Sequence, residues 1–280
     1  MSKLLTNLFN PTKLQIRTKI IKHRGFTPRT DKAPLQVPEN LSEIQAEIKA
    51  AKQPENVHLM HPDYFNVHNL FTVTDLFNAR IHYGHKDGTL DNRMKPYIFG
   101  KRMGHIIFDL DKTALYLRNA LNFIAHTAYR DGIILFIGRN PQFTNLIENT
   151  AKECGEYAHT RAWRLGVFTN SIGQFHGQIR LPDLCIFLNT LNDVLLPHPG
   201  IVEAAKMLIP TVGVVDSNCN PNLITYTIPG NDDSRASVEF FCNMFKQAIL
   251  RGKQKAQEDA EKSRKISEQN IEKDTMTIIQ

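Results

Sequence analysis

The sequence predicts an α/β protein built on a five-stranded, mostly parallel sheet. Three observations carry that reading. Short apolar runs rich in β-branched residues recur after residue 71, and stretches of helical period separate them. No Asp, Glu, Lys or Arg interrupts the runs, as expected of strands covered by helices on both faces. The runs are residues 105–108 (HIIF), 133–137 (IILFI), 184–188 (LCIFL) and 211–215 (TVGVV), with a shorter strand expected near 157–160.

In chain order, residues 1–30 hold seven Lys or Arg and no acid among scattered leucines and isoleucines. This is the composition of a mitochondrial targeting segment; a basic arm that binds RNA or a membrane surface is the alternative. Residues 31–70 form an extension punctuated by Pro34, Pro38, Pro54 and Pro62. One helix is expected near Leu41 to Lys52, where Leu41, Ile44, Ile48 and Ala51 share a face and Ser42 with Gln45 offers a capping box. Residues 71–250 are the α/β domain. A helix over 112–128 has Asp109 or Asp111 available as its cap. Core faces follow at Phe143, Leu146, Ile147, Ala151 and Cys154, then at Ile201, Ala204, Ala205 and Leu208, and last at Val238, Phe241, Phe245 and Ile249. Residues 251–280, of mixed charge, should extend the last helix for some turns and then fray.

Composition excludes several classes of function. With 41% hydrophobic residues in 280, the chain can bury a core, so it is not a disordered protein. Its apolar runs fall far short of the roughly 20 residues that cross a bilayer, so no membrane span is predicted. The four cysteines lie more than 20 residues apart without a C-x-x-C pair, which argues against a disulfide framework and a zinc ribbon and for a reducing compartment. The net charge of +6 is local: residues 1–30 contribute +7 and the remainder −1. Only the excess of +4 over residues 80–118 still points to a polyanion.

A doubly wound sheet invites a nucleotide site at the carboxyl ends of its strands, yet neither G-x-G-x-x-G nor G-x-x-x-x-G-K-[ST] occurs. The candidate turns read Gly138-Arg139-Asn140-Pro141 and Asp216-Ser217-Asn218. Asp216 could bind magnesium or a sugar hydroxyl, which would make the chain a nucleotide- or sugar-binding enzyme, or it could cap a loop. His82 and His85 stand three apart, the spacing of two imidazoles on one helical face, but further zinc ligands are missing from the pattern. No nucleophile elbow occurs. No catalytic residue, metal, cofactor or small-molecule substrate is therefore predicted.

Residues 80–102 carry the stronger signal. Arg80, His82, His85, Lys86, Arg93, Lys95, Lys101 and Arg102 are interleaved with Tyr83, Tyr97 and Phe99 and with Gly84, Gly88 and Gly100. The segment reads as a loop ahead of the first strand. Cations would set it on phosphates, aromatic faces would stack on exposed bases, and glycines would allow close approach. Arg161 and Arg164, flanking Trp163, are the second candidate RNA contact; packing on the indole is the alternative.

Residues 75–250 resemble the universal small-ribosomal-subunit protein family numbered two, in its mitochondrial form. The resemblance rests on ARIHYGHK (79–86), NRMKPYIFG (92–100), HIIFDLDKT (105–113), RAWRLGVFTN (161–170), LPDL (181–184) and the stretch from Asp216 to Asp233 that ends in IPGNDD. It implies a flavodoxin-like three-layer αβα fold without catalysis, seated on small-subunit ribosomal RNA among other mitochondrial small-subunit proteins in the matrix. A non-ribosomal RNA-binding module is the remaining alternative. Asn231 and Asp232 would serve as caps for the last helix. One departure is large: bacterial members insert a long helical hairpin where only Ser171 to Arg180 separate Asn170 from Leu181.

Overall fold

The computed structural model describes residue 59 and residues 61–177, 179–192 and 196–279, with side chains through residue 265. The basic segment 1–30 and the helix expected near Leu41 to Lys52 lie outside the described residues. The chain runs α1 (Val73–Asn78), β1 (Tyr83–Lys86), β2 (Ile98–Arg102), β3 (His105–Phe108), α2 (Leu110–Tyr129), β4 (Ile134–Ile137), α3 (Thr144–Cys154) and β5 (Tyr157–His159). There follow α4 (Ser171–Phe175), β6 (Leu184–Phe187), α5 (Pro199–Lys206), β7 (Thr211–Val215), β8 (Tyr226–Pro229) and α6 (Arg235–Ile279).

Five strands pair in parallel in the order β5-β4-β6-β7-β8. The chain enters at β4, steps to the edge strand β5, then crosses back to β6 and continues outward, which is the flavodoxin order with its reversal between β4 and β6. Alternate residues of each strand feed opposite faces. Ile134 and Phe136, Leu184 and Ile186, and Val212 and Val214 join α2, α3 and α6 in the larger core. Ile137, Cys185, Phe187 and Val215 join Ile201 and Ala204 of α5 with Met94, Phe108 and Phe168 in the smaller one. Burial on both faces is why these strands read as unbroken apolar runs.

Two expectations about strands are corrected. Residues 105–108 form β3 of a separate three-stranded antiparallel sheet, order β1-β3-β2, and the fifth parallel strand is Tyr226–Pro229. Strand β8 carries Tyr and Thr on its half-exposed positions, so its alternation is weaker than that of the interior strands. The segment 80–102 is likewise no simple loop: it holds β1, β2 and two 3-10 turns, Asp87–Thr89 and Asn92–Tyr97. The tail is helical to Ile279 without a break.

Helix ends follow their capping chemistry. Thr72 and Asp75 form a reciprocal capping box on α1, and Asp109 caps α2. Gly155, at φ 67°, closes α3 in the left-handed conformation. His198 caps α5 with Nδ1 accepting the Gly200 N–H at 3.1 Å, while Pro199 takes the first helical position, where no N–H is needed. Ahead of α1, Phe65, Val67 and Phe71 are buried in the larger core. Tyr64 donates its hydroxyl to Asp259 at 2.6 Å, and Arg118 sits 5.3 Å from the Phe71 ring centroid, so this stretch is strapped across the helical layer.

Candidate nucleic-acid interface

The antiparallel sheet is docked on the carboxyl ends of the parallel strands through one corner, Asp216-Ser217, that follows β7. Ser217 accepts the His85 N–H on its hydroxyl and the Asp91 N–H on its carbonyl, both at 2.9 Å. Asn231 completes the joint: its N–H donates to Ile81 O and its side-chain amide to Arg80 O. The Asn231 Oδ1 also accepts the N–H groups of Asp233 and Ser234, which is the capping role expected of it at the entry to α6. Asp232 does otherwise. Its carboxylate turns inward to the Asn189 amide at 3.2 Å, and burial, reinforced by Asp216 and Asp233, pushes its carboxyl well above the ordinary range.

His85 holds the joint electrostatically. Its Nδ1 lies 3.0 Å from Asp216 and its Nε2 3.3 Å from Asp233, so one imidazole bridges two carboxylates from opposite edges of the ring. A ring that donates from both nitrogens is protonated. The hydrogen bond to Asp216 raises its pKa to about 9, against an opposing effect of burial. The three groups offer ligand atoms within 4.8 Å of one another, and could hold a divalent cation only after that proton is lost. His82 is not among them. It precedes β1, is turned inward and stacks on Phe77 at 4.5 Å with 8° between the planes, and burial lowers its pKa. Spacing of three on an extended strand sends the two histidines to opposite sides, which is why the helical-face reading fails here.

Outward of this joint lies a concavity of about 1180 Å³. Lys86, Lys101, Arg102 and His105 line it together with Tyr83, Phe99 and Met103. Register shifts in both strand pairs, between Tyr83 and Lys86 and between Ile98 and Gly100, re-aim the side chains here. Phe99 is 82% exposed as a result. The β2–β3 turn places Met103 and Gly104 at φ 50° and 77°, a two-residue hairpin conformation in which glycine is at ease and methionine is not, and it thrusts the Met103 side chain into solvent. Lys101 pairs with Asp87 at 2.5 Å, on the surface, where such a pair contributes little.

Arg80, Arg93 and Lys95 are exposed on the same segment but outside the concavity. Arg161 and Arg164 are exposed on a different loop, which the buried Glu203 carboxylate of α5 organises. That carboxylate accepts the N–H groups of Gly166 at 2.7 Å and Phe168 at 3.0 Å, and the Trp163 indole N–H at 3.4 Å. Burial opposes its charge, yet these donors hold its pKa below the usual carboxylate range. Trp163 itself packs edge-on against His159, Phe168 and His198. The indole is thus committed to the fold, and the two arginines are not. Sequence reasoning missed Asp233, Glu203 and the pairing of His85 with Asp216, because each joins segments more than 35 residues apart; the positive charge of residues 80–118 was its one local signal.

At the switch point a second groove, of about 520 Å³, is lined by Arg139, Asn140, Asn189, Asn218, Asp232 and Asp233 among others. Carboxylates and amides fill the place where a nucleotide fold would present glycine N–H groups to phosphate. Asp216, 1% exposed, is spent on His85 and on the Ser217 N–H. Among the described residues, no helix is long and apolar enough to cross a membrane.

Known proteins agree with this architecture. A Bos taurus protein named small ribosomal subunit protein uS2m is 57% identical over 197 residues, covering 70% of this chain and 67% of the relative. Small ribosomal subunit protein uS2 of Nitratiruptor sp. is 31% identical over 236 residues, covering 69% of this chain and 86% of its own length. The Rickettsia bellii uS2 is 32% identical over 227 residues, covering 64% and 76%. The 236 aligned residues of the Nitratiruptor protein exceed the share of this chain they cover by roughly 40, a surplus that the bovine alignment lacks. The model of the family described as ribosomal protein S2 matches residues 76–178 and 171–252, two stretches that meet over α4 and so place the surplus there. With most of its α/β domain matched in this way, the chain belongs to the ribosomal protein S2 family.

Proposed function

We propose that the chain is a structural constituent of the mitochondrial small ribosomal subunit, located in the matrix. On this reading it contacts small-subunit ribosomal RNA through Arg80, Lys86, Arg93, Lys95, Lys101, Arg102, Arg161 and Arg164, and neighbouring small-subunit proteins elsewhere. Membership of a ribosomal family makes it a structural protein and not an enzyme. The observation that carries the RNA face is the set of exposed cations and aromatics presented by one short antiparallel sheet, Lys86, Lys101 and Arg102 beside Tyr83 and Phe99. Phosphates answer the cations, and an unpaired base can lie on an aromatic face. His82 and His85 are left to build the platform, since one is buried and the other is engaged by two carboxylates. The higher identity to the bovine protein than to the bacterial ones supports the mitochondrial location.

Replacing Arg93, Lys95, Lys101 and Arg102 together by Ala tests the face. These side chains are exposed, so the fold should survive. Incorporation into the small subunit should fall, and RNA affinity should lose about one unit of salt slope for each phosphate contact removed, giving a shallower dependence than the wild type. Normal incorporation with an unchanged slope would show these four cations to be solvated surface.

A further inference from the structure

The segment that replaces the bacterial insertion carries an apolar surface with no role in the fold. Leu165 is 75% exposed, Ile172 65%, Phe175 52% and Ile179 45%, four large apolar side chains within fifteen residues. Their exposure does not come from a slack loop. Leu165 stands between Trp163 and Gly166, both fixed by Glu203, and its carbonyl accepts the Gln174 side-chain amide of α4 at 3.2 Å. The Asn170 N–H donates to Gly166 O at 2.8 Å, closing the loop on itself ahead of the helix. Ile172 and Phe175, three apart on α4, rise from one side of it. The sequence around them, residues 161–182, contains Arg161, Arg164 and Arg180 and no acid.

We propose that Leu165, Ile172, Phe175 and Ile179 form the seat of a protein neighbour in the small subunit, and that the neighbour presents an apolar stripe flanked by carboxylates. Aliphatic side chains cannot stack on bases, and RNA interfaces are polar, so the patch is suited to protein. A surface preorganised by a buried carboxylate binds at lower entropic cost than a loop that must first be ordered. The uncompensated arginines select the sign of the partner's charge. The place is where the bacterial relative carries roughly 40 additional residues, so a surface covered or displaced in them is open here. The proposal rests on the chain's residence in the small subunit.

The test begins with full-length chain carrying the photo-crosslinking residue p-benzoylphenylalanine at position 175, purified within intact small subunits and irradiated there. The expected product resists nuclease and is destroyed by protease. Its crosslinked peptide should come from another small-subunit protein and contain more Asp and Glu than Lys and Arg. An adduct with ribosomal RNA, an adduct with a second copy of this chain, or none at all in subunits that contain the chain overturns the proposal. In a second arm, Leu165→Ser, Ile172→Ser and Phe175→Ser are combined. Subunits should retain the variant at normal ratio to RNA while the crosslinked protein's ratio falls at least twofold; an unchanged ratio overturns the proposal as well. If the unsubstituted chain is missing from the subunit, the functional reading fails and takes this proposal with it, an outcome told apart by the ratio of chain to RNA.

Discussion

His85 and His198 titrate in opposite directions for opposite physical reasons. The imidazolium of His85 is wanted by Asp216 and Asp233, and its pKa rises to about 9; the ring of His198 is wanted neutral, and burial, with His159 and Arg139 nearby, lowers its pKa to about 4. The geometry agrees in each case, since His85 donates from both nitrogens while His198 accepts at Nδ1. Linkage turns this into two windows. The His85 contribution is complete below about 6.5, the unfolded value, and is lost as pH rises through about 9. The His198 contribution is complete above about 6.5 and is lost as pH falls toward 4. Stability should therefore crest near neutrality. His85→Gln should flatten the alkaline limb and lower neutral stability by about 2 kcal/mol, because a buried carboxylate loses its counter-charge while the exposed Asp233 loses little. His198→Asn, which keeps a capping oxygen, should flatten the acid limb alone. Denaturant titrations between pH 5 and 9 check both, and an alkaline limb unchanged by His85→Gln would remove the bridging ion pair from the account.

At the scale of elements, two substitutions separate packing from propensity. Gly252 lies in α6 where it crosses α2, and a Cβ there would meet the Ala125 carbonyl oxygen at 2.5 Å. Alanine favours a helix over glycine by about 1 kcal/mol, but backbone against backbone cannot yield as a side chain can. Gly252→Ala should therefore destabilise by about 1–3 kcal/mol net, read from the denaturation midpoint. A stabilised variant would mean that the helices part freely. Glu203→Ala should cost about 2–4 kcal/mol by stranding the Gly166, Phe168 and Trp163 donors, and should speed amide exchange across residues 163–170 more than in β6 or β7. The helices were legible because their periodicity and caps are local: Asp109 and the apolar face of α2 are there to be read in adjacent turns. The interior strands were legible for the same reason. Strand β3 was misplaced because HIIF is as apolar as a parallel strand, and only its pairing with β1 and β2, which no local pattern announces, sets it in the other sheet.

For the molecule as a whole, the sequence pattern located the cationic face, since its residues are contiguous, and missed the carboxylate-histidine joint behind it, since His85, Asp216 and Asp233 converge only after the sheet reverses direction. The division of labour is physical: an uncharged or acidic joint positions the platform, and the exposed cations in front of it meet the polyanion. The central claim is residence in the small ribosomal subunit, and the most direct measurement is sedimentation of the tagged, full-length chain from gently lysed mitochondria, with small-subunit ribosomal RNA probed in every fraction. The chain should peak with that RNA and shift to the top of the gradient after nuclease treatment. A chain found at the top without nuclease, while the RNA sediments normally, would contradict the account.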